Sequence, residues 1–189
     1  MKDLKSLGLP LLVVLLCSVH LCQSIFFSGG DLIPGNLGDS RFVNLILEHN
    51  YQSLLGKQEL PSPNQFFPKK NTLFYASNLF GSSPVYILPR VSGVSMEASY
   101  QIWFALVSAL NAIAFLYLLK TLKIHPLIGY PLTFAAVSSS SFVFKVGHPQ
   151  LLAIFPFFFC LAFLVKFLRE PNFRSFMGVG LLCVFQHYC

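Results

Sequence analysis

Asp39 is the residue whose type and surroundings best suit chemistry, because it lies between Gly38 and Arg41 where a glycine-rich loop meets a predicted helix. A carboxylate at such a junction can act as a general base or bind a divalent cation. Aspartate is also a frequent N-cap, because its oxygens accept hydrogen bonds from the free amide groups of a helix's first turn. The sequence leaves these roles open and, with them, the need for a metal ion.

A second polar group follows the third long apolar run, where His148 and Gln150 flank Pro149. Proline restricts the backbone of this turn, which would present both side chains, although they could also only cap helix ends. Glu48 and His49 form another candidate pair. Adjacent helix positions point about 100° apart, so this pair is poorly suited to one site, and at least one of the two is expected at the surface.

Several kinds of function receive no support from the sequence. It contains no Walker-type loop, G-x-S-x-G, H-E-x-x-H or C-x-x-C motif. The five cysteines lie in or beside apolar runs, which favours a packing role. The 13 basic residues are scattered, with Lys69-Lys70 as the only adjacent pair, so no basic stripe would follow a phosphate backbone. We therefore expect no nucleic-acid partner and no resident cofactor other than the possible divalent cation.

Composition indicates what kind of molecule must position these residues. Of 189 residues, 54% are hydrophobic and 11% are charged, whereas soluble domains have about 25% charged residues. No acidic residue lies between Glu97 and Glu170, a run of 72 residues. The sequence therefore predicts a membrane protein whose principal partner is the lipid bilayer.

The apolar runs predict an all-α, polytopic bundle of transmembrane helices. A span needs about 20 apolar residues. Residues 1–27 form an N-terminal segment with a span at 7–27, interpreted as a retained signal anchor because its apolar stretch is longer than that of a cleaved signal peptide. Residues 28–99 form a long outer loop, and residues 100–189 hold the remaining spans. These lie near 100–119, 127–144 and 151–168, and an incomplete span starts at 176.

Basic residues predict the orientation, because cytoplasmic loops are enriched in lysine and arginine. Those that flank the spans are Lys2, Lys5, Lys120, Lys123, Lys166, Arg169 and Arg174. Placing them inside puts the N-terminus in the cytoplasm and both residues 28–99 and the turn at 145–150 on the outer face. Asp39 and His148 are then expected on the same side of the membrane.

Within the outer loop, the sequence predicts an amphipathic helix from Ser40 to about Leu55, ended by Gly56. Its predicted apolar side holds Phe42, Leu45, Ile46 and Leu54, and its polar side Arg41, Asn44, Glu48 and Gln52. Such a helix is expected to lie in the membrane interface.

The order of several short motifs resembles the GT-C superfamily of integral-membrane glycosyltransferases, with the closest likeness to bacterial, dolichyl-phosphate-mannosyltransferase-like members. The motifs are Gly38-Asp39-Ser40-Arg41, Leu47-Glu48-His49, Phe66-Phe67-Pro68, Ser77-Asn78-Leu79-Phe80-Gly81, Pro84-Val85-Tyr86, Tyr100-Gln101-Ile102-Trp103, Leu110-Asn111 and Gly147-His148-Pro149-Gln150. The likeness covers residues 31–150 and depends on their order and on the predicted topology.

This resemblance implies transfer of a sugar from a polyprenyl-phosphate donor to an acceptor on the outer face, in a bacterial cytoplasmic (inner) membrane. It implies that Asp39 is the catalytic base and that Arg41, His148 and Gln150 are candidates for substrate binding. Asn78 is neutral where many relatives have aspartate, which weakens any metal-binding role for that position. The sugar and the acceptor stay undefined.

The chain has fewer predicted spans than the superfamily it resembles, and this leaves two hypotheses for its function. Members of this superfamily have roughly eight to fourteen spans, so the chain is expected to be an N-terminal fragment, inactive by itself, and its status as an enzyme stays open. The alternative is a non-catalytic integral membrane protein, such as an assembly or flippase-like component, whose outer loop only packs on the bundle.

Overall fold

The computed structural model describes residues 2–64, 68–75 and 77–189, and in these ranges all regular structure is helical. The predicted all-α class is confirmed for this part of the chain. Phe66 and Phe67 of the sequence motifs lie outside the described residues. The α-helices are α1 (Lys2–Leu21), α2 (Gln23–Phe27), α3 (Asp39–Leu54), α4 (Ser83–Val91), α5 (Met96–Thr121), α6 (Pro126–Val137), α7 (Ser140–Gly147), α8 (Phe155–Arg169) and α9 (Phe173–His187), and the 3₁₀ turns are Thr72–Tyr75 and Pro149–Leu151.

Helix α5 is the centre of the fold and packs against α1, α3, α4, α6 and α8. Ser95 caps it, because its Oγ accepts a hydrogen bond from the amide of Ala98 at 3.2 Å. Fully buried residues recur on α5 three or four positions apart, as expected for the core-facing side of a helix. They include Tyr100, Trp103, Phe104, Val107 and Asn111.

The apolar run predicted as one span at 127–144 forms two helices, α6 and α7. Helix α6 ends at Val137, and the backbone of Ser139 is extended (φ −63°, ψ 153°). The break falls in the serine run 138–141, and serine favours a helix less than the apolar residues before it. Helix α7 then leads through Gly147 to His148.

Helix α3 begins and ends within one residue of the predicted bounds, but its buried face is rotated from the prediction. Val43 and Ile46 are completely buried, whereas Leu45 and Leu54 are exposed. Asn44, expected on the polar side, is also buried. The reason is that α3 packs on α4 and α5, so its neighbours rather than its own periodicity select the covered face.

Among the described residues, two helical stretches are long and apolar enough to cross a membrane: α5 (Met96–Thr121), and Pro149–Arg169, which runs from the second 3₁₀ turn through α8. Gly8–Leu21 and Pro126–Val137 are apolar helices of shorter length.

Candidate functional site

The candidate site begins in the loop before α3, where Asn36 organises the backbone. Its Oδ1 accepts hydrogen bonds from the amides of Gly38 (2.9 Å) and Asp39 (2.7 Å). Its Nδ2 donates to the carbonyl oxygen of Gly147 at 2.5 Å, joining segments 111 residues apart. Asn36, and not the carboxylate of Asp39, therefore serves amide groups at the start of α3, which leaves that carboxylate available for other partners.

A glycine is required where this loop meets the end of α7. Gly35 has φ +101°, and a Cβ atom there would lie 1.9 Å from Ser40 Oγ and 2.7 Å from the carbonyl oxygen of Val146. The hydroxyl of Ser40 donates to the carbonyl oxygen of Pro34 at 2.8 Å. A side chain at position 35 would push α3 away from α7, so this close approach of the backbone is part of how the site is assembled.

Asp39, His148 and Gln150 come together in one polar cluster. Oδ2 of Asp39 lies 2.5 Å from Nδ1 of His148 and accepts a hydrogen bond from Nε2 of Gln150 at 3.0 Å. The side chains of His148 and Asp39 are 36% and 34% exposed, so solutes can reach both. The hydrogen bond from Gln150, followed by that from His148, lowers the pKa of Asp39 below its ordinary value. The carboxylate is thus ionised at neutral pH.

The turn that carries His148 and Gln150 is anchored from two other helices. On α5, Asn111 donates from Nδ2 to the carbonyl oxygen of Leu152 (2.7 Å) and accepts from the amide of Ile154 at Oδ1 (3.2 Å). On α9, Gln186 donates from Nε2 to the carbonyl oxygen of Ala153 at 3.0 Å. These bonds join three helical segments and fix the turn of the site.

Arg41, the remaining predicted site residue, is not in the cluster. It is exposed, and across the described ranges it makes no hydrogen bond or ion pair.

The sequence did not predict the role of Asn36. Its position among Pro34, Gly35 and Gly38 indicates a turn, but nothing local indicates that it would bond to Gly147.

A second polar network joins α3 to α4 and was also missed. Arg90 contacts Glu48 with two nitrogens, Nε to Oε2 at 2.8 Å and Nη2 to Oε1 at 3.0 Å. Tyr86 OH donates to Glu48 Oε2 at 2.7 Å, and Gln52 Nε2 donates to Oε1 at 2.7 Å. Burial alone would raise the pKa of Glu48, but the hydrogen bonds from Arg90, Tyr86 and Gln52 outweigh it and lower that pKa.

The expectation that Glu48 or His49 lies at the surface is wrong. Glu48 is only 16% exposed in its ion pair, and His49 is 3% exposed. The ring of His49 contacts Gln58 Oε1 at 2.5 Å and the carbonyl oxygen of Leu60 at 2.9 Å. The two side chains point in different directions, as expected for adjacent helix positions, but both directions are covered by later parts of the chain.

A groove of about 410 Å³ lies beside the polar cluster. Its lining includes Asn36, from the loop before Asp39, and Gly147, which directly precedes His148. Its lining mixes polar and apolar groups: His20, Leu21, Gln23, Ser24, Gly35, Asn36, Val143, Val146 and Gly147. Such a surface suits an amphiphilic molecule.

In the part of the chain that the structure describes, no three His, Cys, Asp or Glu side chains are arranged to hold a metal ion. Asp39 and His148 are two potential ligands, and the Asp39 oxygen nearest His148 is already hydrogen-bonded.

No family model matches the chain, and no curated protein or solved structure is significantly similar to it.

Proposed function

We propose that the chain belongs to a membrane glycosyltransferase that moves a sugar from a polyprenyl-phosphate donor to an acceptor on the outer face. The observation that carries this proposal is the cluster of Asp39, His148 and Gln150. It joins a carboxylate at the start of α3 to an imidazole 109 residues later, in a chain that is otherwise strongly apolar.

Exposed apolar surface supports a membrane location for this activity. Helix α1 has an extensive exposed apolar face, which includes Leu9, Leu11, Leu12, Leu15, Leu16 and Val19. In water this surface would favour aggregation, whereas in a bilayer it would contact lipid chains. Together with the two longest apolar helical stretches, it supports a location in a membrane. The proposal further places the chain in a bacterial inner membrane, as a polytopic bundle with the N-terminus inside and α3 in the outer loop.

The chemistry requires few protein groups. The acceptor hydroxyl attacks the anomeric carbon and loses its proton, while the bond from that carbon to the phosphate oxygen breaks and polyprenyl phosphate leaves with the electron pair. The cluster that contains the ionised Asp39 accepts the proton of the acceptor hydroxyl. The adjacent groove suits a donor with a polar head group and an apolar chain. Arg41 is exposed and can meet the donor phosphate, because its guanidinium geometry matches phosphate oxygens.

Replacement of the carboxylate tests this function. We expect Asp39→Asn to reduce sugar transfer by about 100-fold or more, because loss of a group that serves proton transfer has effects of this size. Transfer is measured with the full-length gene product in membrane vesicles, using radiolabelled polyprenyl-phosphate sugars. Asp31→Asn is the matched control, because Asp31 is an exposed carboxylate of the same loop. Unchanged transfer in Asp39→Asn, with normal membrane insertion, would contradict the proposal.

The alternative function is that of a non-catalytic membrane component. The observation that favours it is that the hydrogen bonds of Asn36, Asp39 and Asn111 all tie segments of this chain together. Under this alternative, Asp39→Asn destabilises the protein without any specific change in polyprenyl-phosphate sugars.

A further inference from the structure

We infer that Nε2 of His148, rather than the carboxylate of Asp39, takes the proton from the acceptor hydroxyl, and that Asp39 positions the imidazole for this step. The inference rests on the glycosyl transfer proposed above and assigns the base within the same cluster. It reverses the role that the sequence resemblance implies for Asp39.

The contact between the two side chains defines which ring nitrogen carries the proton. Nδ1 of His148 lies 2.5 Å from Oδ2 of Asp39. An ionised carboxylate only accepts hydrogen bonds, so Nδ1 must be the donor. In the neutral imidazole the lone pair is then on Nε2, which across the described ranges has no hydrogen-bond partner. The free nitrogen is therefore the one that can accept a proton.

Gln150 indicates that the carboxylate stays ionised. Its Nε2 donates to the same Oδ2 of Asp39, while its own Oε1 is buried without a hydrogen-bond partner among the described residues. Turning the amide round would place its oxygen against the carboxylate oxygen. The amide is thus oriented by the charge on Asp39, at the expense of an unsatisfied oxygen.

Basicity favours the imidazole. Gln150 and His148 lower the pKa of Asp39, which makes its carboxylate a weaker base than an ordinary aspartate. The neutral imidazole instead offers a nitrogen lone pair that no other group of the described chain occupies, and histidine is the side chain that most often serves as a general base. The charged group in contact with the His148 ring is Asp39, and the ammonium of Lys145 on α7 contacts Ser141.

The surroundings of His148 permit this role. The imidazole is partly exposed, and its ring lies against Phe144 with 4.5 Å between the ring centroids. The nearby ammonium of Lys145 contacts the carbonyl oxygen and Oγ of Ser141, at 3.4 and 3.3 Å. Phe144 and the hydrogen bond to Asp39 together restrict rotation of the ring, so Nε2 is held in one direction.

In the resulting step, the acceptor O–H bond breaks and its proton goes to Nε2. The acceptor oxygen forms the new bond to the anomeric carbon, and polyprenyl phosphate leaves with the electron pair of the broken carbon–oxygen bond. The imidazolium then donates both of its N–H groups, one to Asp39. It returns to the neutral form when Nε2 gives its proton to solvent.

Nitrogen-15 NMR of histidine-labelled chain in detergent micelles tests the assignment without any need for activity. We expect His148, identified by the signal lost in His148→Asn, to be in the Nδ1–H tautomer when neutral. Asp39→Asn should reduce that preference, and Asp31→Asn should leave it unchanged. An Nε2–H tautomer in the unsubstituted protein would overturn the inference.

The pH dependence of transfer gives the second test. We expect the acid limb of the profile of kcat/KM to depend on His148. His148→Asn keeps an N–H group for Asp39 but has no basic nitrogen, so it should lose about 100-fold or more of the rate, together with that limb. An acid limb that survives in His148→Asn would assign the base to Asp39 and overturn the inference. Absence of transfer in the unsubstituted protein would instead count against the proposed function. The His148 tautomer measured by NMR would still show whether Asp39 positions the imidazole.

Discussion

Glu48 is the carboxylate with the largest set of hydrogen-bond donors in the described part of the chain, and it serves structure rather than the candidate site. Its two oxygens receive four hydrogen bonds, two of them from Arg90. The Arg90 guanidinium also donates to the carbonyl oxygen of Val94 at 2.5 Å and lies 5.0 Å from the ring centroid of Tyr51. Paired contacts of this kind are among the stronger polar interactions in proteins, so Glu48 fixes α4 against α3.

Substitution of Glu48 should lower stability in a pH-dependent way. We expect Glu48→Gln to reduce the free energy of unfolding by about 2 kcal/mol at pH 7, because it removes charge from a half-buried network. The folded-state pKa of Glu48 is lowered, so its contribution is complete above the unfolded value of about 4.3 and is lost as the pH falls through the folded value.

Denaturation in one detergent at pH 7 and below pH 4 measures this effect. The difference in the free energy of unfolding between Glu48→Gln and the unsubstituted protein should be smaller at the lower pH. Glu59→Gln is the control, because Glu59 is exposed. A difference that is constant with pH would contradict the role given to the ionised carboxylate.

At the scale of secondary structure, the site depends on how helix ends are joined. Asn36 joins the loop before α3 to the end of α7, and Asn111 ties the turn before α8 to α5. The serine run that ends α6 early directs the chain into α7 and so to His148. Three helix termini, rather than one continuous helix, therefore define the position of the polar cluster.

Removal of the Asn111 side chain should loosen this arrangement. We expect Asn111→Ala to destabilise the protein by about 1–2 kcal/mol, because the carbonyl oxygen of Leu152 and the amide of Ile154 would each lose one of two partners and keep the 2.9 Å hydrogen bond between them. Asn64→Ala is the control, because Asn64 is exposed. Chemical denaturation in detergent measures both variants, and an equal, negligible effect would show that Asn111 does not anchor the turn.

At the scale of the whole molecule, the proposed topology places α3 and the turn after α7 on one side of the membrane. We expect single cysteines at Asn64 and Arg174, in a background without other cysteines, to react with an impermeant thiol reagent from opposite sides of sealed vesicles. Both positions are exposed, whereas neighbouring Ser175 is 5% exposed and unsuitable as a probe. Labelling of both from one side would contradict the proposed orientation.

The sequence by itself determined the helical class, because long apolar runs with few charges favour helices over other structure. It also predicted the bounds of α3 to within one residue and singled out Asp39, His148 and Gln150, which the structure brings together, along with Arg41, which lies outside that cluster. Only the tertiary structure decided their partners. The bonds from Asn36 to Gly147 and from Arg90 to Glu48 join residues 111 and 42 positions apart, and local periodicity contains no information on such pairs. The buried face of α3 was decided in the same way, because burial depends on which helices pack against it and not on its own sequence alone.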